Sequence, residues 1–422
     1  MTEGLASWNQ RHRLRQGEGD ARRGVFNPHH SVLAFRLDGR VEVAALDRAW
    51  RGVQARHPVL LSSFDGDRWR SGRDAEPVGL VEAGAGIGIG GVEAVATAPF
   101  DLARGPLARL VLAPDVLVLV LEHLITDGWS RSVLVRDLGA LYAREIGHEP
   151  AALPVIGQDY FDFTQGQNAY LESARGLALR ARLARELADL GPAPSTPLNA
   201  ATGLGAAGPA PVRHERNRWA RFALPAEHYD RLAPLAGRTG VSRLNIALGA
   251  LHTALSALSG LPEVATTVTV ANRARPAVQQ SVGWFASKVV VRSAPGGLAD
   301  PEGYLRGLRA AVAGAIDASR VPWPVVIHDL TDWFGGQART PFASFNARPG
   351  SMARAELVLP GVAATELDVH AGWQDAALAT SWQEAGDLRV SVNYKTDWFG
   401  EADVERVWER VDAVLRGLGE DR

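Results

Sequence analysis

The 422-residue sequence predicts a mixed α/β or α+β protein of two lobes. Strand-like apolar runs and amphipathic helical segments occur in both halves of the chain. Between the halves lies the uncharged tract GPAPSTPLNAATGLGAAGPAPV, whose Pro, Gly and Ala residues cannot supply a packed face. We therefore predict a first lobe at residues 1–190, a linker or surface loop at 191–212 and a second lobe at 213–422.

Composition matches an ordinary globular protein and argues against several functional classes. Hydrophobic residues make up 46% of the chain and charged residues 22%, as in average soluble domains. A net charge of -2 argues against nucleic acid as a partner. The absence of cysteine excludes disulfides, thiolate metal sites and a cysteine nucleophile. With no signal-peptide core and no apolar run long enough to span a bilayer, we expect a cytoplasmic protein.

The first half begins with a strand and a helix. SVLAFRLDG (31–39) alternates apolar and polar residues and ends in a turn. LDRAWRGVQARHPVLLSSF (46–64) predicts a helix that Pro58 stops. Its apolar stripe comprises Leu46, Trp50, Val53 and His57.

A second pair of elements surrounds a cluster of ionisable residues. Val111 to His123 is apolar on both faces, which predicts one central strand. Ser130 is the predicted N-cap of the helix that follows, at 130–145.

The second half opens with a buried helix, SRLNIALGALHTALSALSG, whose leucines recur every three or four residues. Ser242 caps its start and Gly260 closes its end. The remaining predicted elements are strands at 264–270, 288–292 and 344–347, a strand pair around the turn at 384–387, and a helix from Glu401.

The stretch LEHLITDGWS (121–130) places three ionisable residues where the central strand leaves the core. Alternation along a strand points Glu122 and His123 to opposite faces, and the turn at Asp127–Gly128 brings Asp127 beneath His123. A histidine has an ordinary pKa of about 6.5 and can take and return a proton near neutrality. A core histidine bonded to a backbone carbonyl is the alternative. A metal site fits poorly, because the i, i+4 histidine pair of helical zinc motifs is missing.

This stretch resembles the HHxxxDG signature of the condensation domains of nonribosomal peptide synthetases, which belong to the chloramphenicol acetyltransferase-like superfamily. Four further segments are similar to family motifs and follow in the family's order. They are RHPVLLSSF (56–64), PVIGQDYFDFT (154–164), ANRARPAVQQSVGWFASKVVVR (271–292) and SVNYKTDWFG (391–400).

The resemblance implies two acyltransferase-like lobes arranged in a V, with an active-site tunnel between them. It implies no bound cofactor and no metal. The donor acyl group and the acceptor arrive as thioesters on phosphopantetheine arms of carrier proteins, or the acceptor is a small molecule. Because this sequence contains neither an adenylation nor a carrier domain, we expect a free-standing enzyme or a lone domain that meets its carrier protein in trans. We also expect a monomer.

The resemblance also assigns roles to residues of the motif. His123 matches the histidine that assists attack of the acceptor on the donor carbonyl. Gly128 matches the glycine that places a backbone amide near the developing oxyanion, and its backbone is free to be left-handed or to let a substrate approach closely. Asp127 matches a structural aspartate that pairs with an arginine of the other lobe, here Arg273. The other reading makes Asp127 a helix cap and Arg273 a solvated loop charge.

Three further residues are candidates for the substrate lining: Trp129, Trp284 and Asn346. Packing for the two tryptophans and ordinary hydrogen bonding for Asn346 are the alternatives. Two positions depart from the family. Glu122 replaces the first histidine, and a buried carboxylate there needs a partner, either a helix N-terminus or an arginine. Lys288 replaces a threonine, and its amine either extends to solvent or meets an acidic group of the substrate.

The sequence thus predicts an acyl-transferring condensation enzyme that forms an amide or ester bond in natural-product biosynthesis. A transferase that uses an acyl-coenzyme A donor is the alternative within the same chemistry. A catalytically silent condensation-like module that recruits partner enzymes is the alternative from another class. The altered EHLITDG motif favours the silent module, whereas the retained His123, Asp127 and Gly128 favour an enzyme.

Overall fold

The computed structural model describes residues 2–22, 24, 28–83, 89–149, 151–188, 217–330, 343–350, 356–367, 369, 376–396 and 398–420. Within these ranges no helix combines the length and the apolar character needed to cross a bilayer.

The chain divides into two compact units. Unit 1 comprises Met1–Arg175, Ala271–Ala286 and Arg354–Trp373, and unit 2 comprises Gly176–Val270, Ser287–Ala353 and Gln374–Arg422. These units do not coincide with the predicted lobes, because two segments of the second half fold with the first half. The predicted linker at 191–212 lies outside the described residues.

Unit 1 is a mixed α/β body. Its helices are α1 (Trp8–Arg22), α2 (Val43–Arg56), α3 (Ile89–Thr97), α4 (Gly128–Glu145) and α5 (Tyr160–Glu172). Its strands are β1 (Glu3–Leu5), β2 (His30–Asp38), β3 (Ser63–Asp65), β4 (Arg68–Arg70), β5 (Val81–Glu82), β6 (Ala108–Ala113), β7 (Val116–Glu122) and β12 (Ala363–Leu367). The larger sheet has the order β12-β2-β7-β6-β5, and the smaller sheet has the order β1-β4-β3.

Strand β7 lies in the middle of the larger sheet and is buried on both faces. Its odd-numbered leucines pack in the main core of unit 1 with residues of α2 and α4. Its even-numbered valines form a second cluster with residues of α3. The prediction of one strand from Val111 to His123 is wrong, because Pro114 and Asp115 form a turn that splits it into the antiparallel strands β6 and β7.

Unit 2 contains one sheet and a layer of packed helices. Its helices are α6 (Ala174–Glu186, most of which belongs to this unit), α7 (Ala226–Asp230), α8 (Ala233–Thr239), α9 (Arg243–Ser259), α10 (Pro301–Ala318), α11 (Trp323–Leu330) and α12 (Glu401–Gly419). Its strands are β8 (Asn217–Leu224), β9 (Val264–Val270), β10 (Ser287–Ser293), β11 (Ala343–Arg348), β13 (Leu378–Ala385) and β14 (Asp387–Lys395), in the order β10-β9-β11-β13-β14-β8.

The predicted elements of the second half are confirmed. Ser242 caps α9 by accepting a hydrogen bond from the Asn245 amide at 3.2 Å. Gly260 ends the helix in the left-handed conformation, with φ 67°, which a residue without a Cβ adopts at no steric cost. The final helix begins at Glu401, as predicted.

In unit 1, a buried cluster of charges joins α2 to α4. The Asp137 side chain on α4 is fully buried, and its Oδ2 accepts hydrogen bonds from Arg56 Nε at 2.7 Å and His57 Nε2 at 2.8 Å. Its Oδ1 accepts from Arg136 Nη2 at 2.6 Å. Burial lowers the pKa of His57, against the opposing effect of Asp137. His57, predicted on the helical stripe, lies one residue beyond the end of α2.

We expect Asp137→Ala to destabilise the protein by about 1–3 kcal/mol, because it leaves the buried His57 imidazole without its hydrogen-bond acceptor, whereas Arg56 and Arg136 are partly exposed and keep contact with water. The matched control is Arg48→Ala, which removes an exposed ion pair with Glu145 between the same two helices (Nε–Oε2 2.7 Å). That pair contributes no more than about 1 kcal/mol. Urea unfolding followed by tryptophan fluorescence measures both, and equal losses for the two variants contradict the assignment.

Candidate active site

The EHLITDG segment changes conformation three times within a few residues. Strand β7 ends at Glu122, His123–Ile125 form a single 3-10 turn, and α4 begins at Gly128. The N-cap of α4 is Asp127, whose Oδ1 accepts a hydrogen bond from the Ser130 amide at 2.9 Å. The prediction of Ser130 as the N-cap is therefore wrong, since the helix begins earlier than its hydrophobic pattern indicates.

The Asp127 carboxylate also forms the predicted ion pair with Arg273. Arg273 Nη2 lies 3.0 Å from Oδ1 and 3.3 Å from Oδ2, and both side chains are almost completely buried. Helix cap and ion pair are thus two functions of the same carboxylate. The expectation that this pair bridges the two lobes is wrong, because Ala271–Ala286 belongs to unit 1 with Asp127.

The segment that carries Arg273 is fastened to α4 by further hydrogen bonds. Asp127 Oδ2 accepts from the amides of Phe285 at 3.0 Å and Ala286 at 3.1 Å. The Ser130 hydroxyl accepts from Arg273 Nη2 at 2.8 Å and from the Gly283 amide at 3.1 Å. Burial lowers the pKa of Arg273, and the Asp127 carboxylate opposes this shift. The result is a closed polar network around the start of α4.

The Arg273 guanidinium also organises its own loop. Its Nη1 donates to the backbone carbonyls of Val278 and Ser281, each at 2.7 Å. Its planar group lies over the Phe285 ring, 4.1 Å from the ring centroid. Arg273 is therefore not a solvated loop charge, since its side chain is only 1% exposed and its two terminal nitrogens donate to α4 and to its own segment.

His123 is partly exposed and contacts two aromatic rings. The His29 ring stacks on it with centroids 4.4 Å apart and planes 9° apart, and the Trp284 ring meets it edge-on at 4.5 Å and 70°. Burial lowers the pKa of His123, Glu122 and Asp127 oppose this, and Arg13 adds to it. The imidazole is therefore uncharged at neutral pH. Its Nδ1 is buried and meets the geometric criteria for a hydrogen bond with none of the described residues.

Glu122 lies on the other face of the sheet from the leucines that precede His123. It is buried, and its Oε2 lies 3.4 Å from His30 Nε2. His30 is the residue directly opposite Glu122 on β2, and its Nδ1 lies 2.7 Å from the Ala96 carbonyl. Because a carbonyl only accepts, Nδ1 carries the proton of that hydrogen bond, and Nε2 is the ring nitrogen that faces the carboxylate. The partner of Glu122 is thus a histidine, where a helix N-terminus or an arginine was expected.

The other predicted residues are distributed between the two units. Gly128 is exposed at the start of α4 and does not adopt a positive φ, so the expected left-handed backbone is absent there, but a Cβ placed on it meets nothing within 4 Å. Trp129 Nε1 donates to the Gln279 carbonyl at 2.8 Å. Asn346 lies half-buried on β11 opposite Ser381, and Lys288 lies on β10, both in unit 2.

The sequence interpretation missed His29 and His30. The pair stands at the start of β2, and the antiparallel register sets His30 against Glu122 and joins the His123 amide to the His29 carbonyl at 2.9 Å. The only sequence signal was the pair of adjacent histidines immediately before a predicted strand. That pair indicates a role at this site only when the pairing of β2 with β7 is known. Across the described ranges, no three His, Asp or Glu side chains are grouped so as to hold a metal ion.

We expect Asp127→Ala and Arg273→Ala each to cost about 3–5 kcal/mol, because each leaves the other charge buried without its partner. The double variant should lose clearly less than the sum of the two single losses, since neither charge remains to be stranded. A double-mutant cycle by chemical unfolding measures the difference. Strictly additive losses contradict a coupled pair.

Glu122→Gln should keep the fold, because the glutamine amide can donate to a His30 ring that retains its Nδ1 proton. Glu122→Ala should cost about 1–3 kcal/mol, because it leaves a buried imidazole nitrogen without a polar neighbour. Thermal unfolding distinguishes the two substitutions. A Glu122→Gln variant that is as unstable as Glu122→Ala contradicts a stabilising polar contact between residue 122 and His30.

Comparison with known proteins identifies the family of this site. The family model described as the condensation domain matches residues 27–421. A chondramide synthase of Chondromyces crocatus is 26% identical over 94% of this chain and 10% of its own length. A probable non-canonical nonribosomal peptide synthetase of Salinispora arenicola is 28% identical over 92% of this chain and 5% of its own length. The chain therefore spans a tenth or less of these relatives.

Solved structures agree on the fold. The X-domain from teicoplanin biosynthesis superposes with a TM-score of 0.82 at 21% identity, covering 99% of this chain and 95% of that one. The same X-domain in complex with OxyB gives a TM-score of 0.81 at 22% identity, covering 99% and 93%. The first condensation domain of the calcium-dependent antibiotic synthetase, bound to a substrate analogue, gives 0.75 at 20% identity, covering 100% and 97%. The fold, the motif and the family match agree: this chain belongs to the condensation domain family.

Proposed function

We propose that this chain is an acyltransferase that joins a thioester-bound acyl or aminoacyl group to an amine or hydroxyl acceptor. The observation that carries the proposal is the state of His123. Its ring is held between two aromatic side chains, burial lowers its pKa, and its neighbours are fixed by the Asp127–Arg273 network. A neutral imidazole in a fixed orientation is what a general base near neutral pH requires.

In the proposed reaction, the acceptor nitrogen or oxygen attacks the thioester carbonyl carbon. His123 takes the proton of the acceptor as the new C–N or C–O bond forms. The C–S bond then breaks, and the thiolate leaves with a proton returned by the imidazole. The first turn of α4 supports this step, because the amides of Gly128 and Trp129 have no intrahelical acceptor and carry the positive end of the helix dipole. They are the groups we propose to stabilise the oxyanion.

The proposed donor is a thioester on the phosphopantetheine arm of a carrier protein that binds in trans. Membership of the condensation domain family supports this choice over a coenzyme A thioester. The two donors share the same reacting carbonyl and the same thiol end, so turnover with each one separates the alternatives. Loss of activity when the carrier is replaced by coenzyme A indicates that the carrier itself is recognised.

A second candidate function is a module that recruits partner enzymes without catalysis. Two observations favour it: the carboxylate of Glu122 stands where the family signature has a histidine, and the X-domain from teicoplanin biosynthesis is among the similar folds and forms a complex with OxyB. The state of His123 favours the enzyme. Mass spectrometry of a carrier-loaded donor incubated with candidate acceptors decides between the two, because a silent module yields no more product than the protein-free control.

His123→Ala should abolish ester formation and reduce amide formation. A hydroxyl acceptor needs a base during attack, whereas an aminoacyl amine has a pKa near ~7.7–8.0 and is partly a free nucleophile already. Loss of a general base costs about 10²–10⁴-fold in rate. The difference in the rate of amide formation between His123→Ala and the wild-type protein should therefore shrink as the pH rises above the amine pKa.

With a hydroxyl acceptor, the wild-type turnover should be constant near neutrality and fall only when the pH drops below the lowered pKa of His123, because the protonated imidazole cannot accept a proton. Turnover of the hydroxyl acceptor from about pH 5 to about pH 9 measures this. Glu122→Gln removes a carboxylate that opposes the lowering of the His123 pKa, so this variant should stay active at neutral pH and show the fall in turnover at lower pH. An inactive Glu122→Gln together with an active His123→Ala overturns the assignment of the base.

A further inference from the structure

Two histidines from different strands meet at the proposed catalytic position. His29 precedes β2 and His123 follows β7, and the two strands pair in antiparallel register. The His123 amide donates to the His29 carbonyl at 2.9 Å, which aligns the two backbones. The rings then lie face to face, with centroids 4.4 Å apart and an interplanar angle of 9°.

The stacked pair is confined. Trp284 meets the His123 ring at 4.5 Å and 70° and the His29 ring at 6.2 Å and 79°, so that one indole borders both. The charged groups that act on His123 are Glu122 and Asp127 from its own segment and Arg13 from α1. The charge of Asp127 is balanced by Arg273.

Two imidazoles in face-to-face contact do not titrate independently. The first proton that binds makes the second less favourable, because two like charges at this separation repel each other. The pair therefore takes up its protons in two separated steps that belong to both residues jointly. At any pH, the fraction of uncharged His123 is larger with His29 present than it would be without a second protonatable ring.

We propose that His29 is a positioning residue of this site. It holds the plane of the His123 ring by stacking. It also shares one added proton with His123 over the pH range in which two independent imidazoles would both be protonated. The effect of His29 on catalysis rests on the proposed function of this chain. The sharing of a proton between His29 and His123 does not depend on that function. With His29 in place, the base His123 stays available at a lower pH than an isolated histidine in the same pocket.

The first test is a histidine titration of the full chain, labelled with ¹³C at the imidazole Cε1 and followed by NMR. His29→Phe and His123→Phe assign the two signals and keep an aromatic ring in each position. His148→Gln, at an exposed residue, is the control for indirect changes. We expect the lower of the two wild-type midpoints to fall below the midpoint of the remaining imidazole in either single variant. If it coincides with one of those two midpoints, the rings titrate independently and the proposal is wrong.

The second test is the acid limb of the turnover profile. His29→Phe should move this limb to higher pH, because the remaining imidazole no longer competes for its proton, and His29→Ala should in addition lower the rate at its plateau by releasing the ring. A limb that does not move overturns the proposal even if the protein is active. Absence of turnover in the wild-type protein overturns the proposed function instead, and the NMR titration then still decides whether the two rings share a proton.

Discussion

The start of α4 is built around one buried carboxylate. Both oxygens of Asp127 are surrounded by donors: the Ser130 amide on one side, the Arg273 guanidinium in the middle, and the amides of Phe285 and Ala286 on the other side. A buried ionised carboxylate is tolerated only when hydrogen-bond donors replace the water it has lost. Each missing donor leaves part of the free-energy cost of desolvation uncompensated. The same carboxylate therefore dictates where α4 begins and which remote segment must lie against it.

That remote segment carries the indole that borders His123. Phe285 and Ala286 bind Asp127 directly, and Gly283 packs so closely that a Cβ added to it would lie 2.2 Å from the Tyr160 ring. Trp284 stands between these fixed points, and its carbonyl accepts a hydrogen bond from the Tyr160 hydroxyl at 3.0 Å. The orientation of the proposed base is thus a consequence of the ion pair, passed on through a few rigid contacts. A well-packed apolar substitute for the pair could match its stability, but it would not hold these amides in place.

Sequence patterns predicted those features that arise from local periodicity. The leucine repeat of α9, the run Val264–Val270 and the alternation that separates Glu122 from His123 are all local, and the structure agrees with them. The start of α4 was misplaced because Ser130 and Asp127 are both good N-cap residues, and the choice between them depends on Arg273.

Features that depend on pairing between distant strands were not predictable in the same way. The meeting of His29 with His123 requires the register of β2 on β7, and the membership of Ala271–Ala286 in unit 1 requires knowing what covers the buried end of β7. The family motifs supplied the Arg273 partner of Asp127, which no local pattern contains. The family motifs placed Arg273 in the second lobe, whereas it belongs to unit 1. A motif match gives the identity and order of residues, but it does not show which unit a segment folds with.

The distance along the chain between the two partners has a consequence for synthesis. Asp127 and Arg273 are separated by 146 residues, and a ribosome adds roughly 5–20 residues per second. Each newly made chain therefore spends on the order of ten seconds with the Asp127 carboxylate already translated and its guanidinium not yet made. During that interval the end of β7 cannot be buried at low cost, so unit 1 completes its folding only after much of unit 2 has left the ribosome. Premature termination anywhere between the two positions yields a polypeptide in which the end of β7 stays unburied, and such an incompletely folded chain is a target for proteolytic clearance.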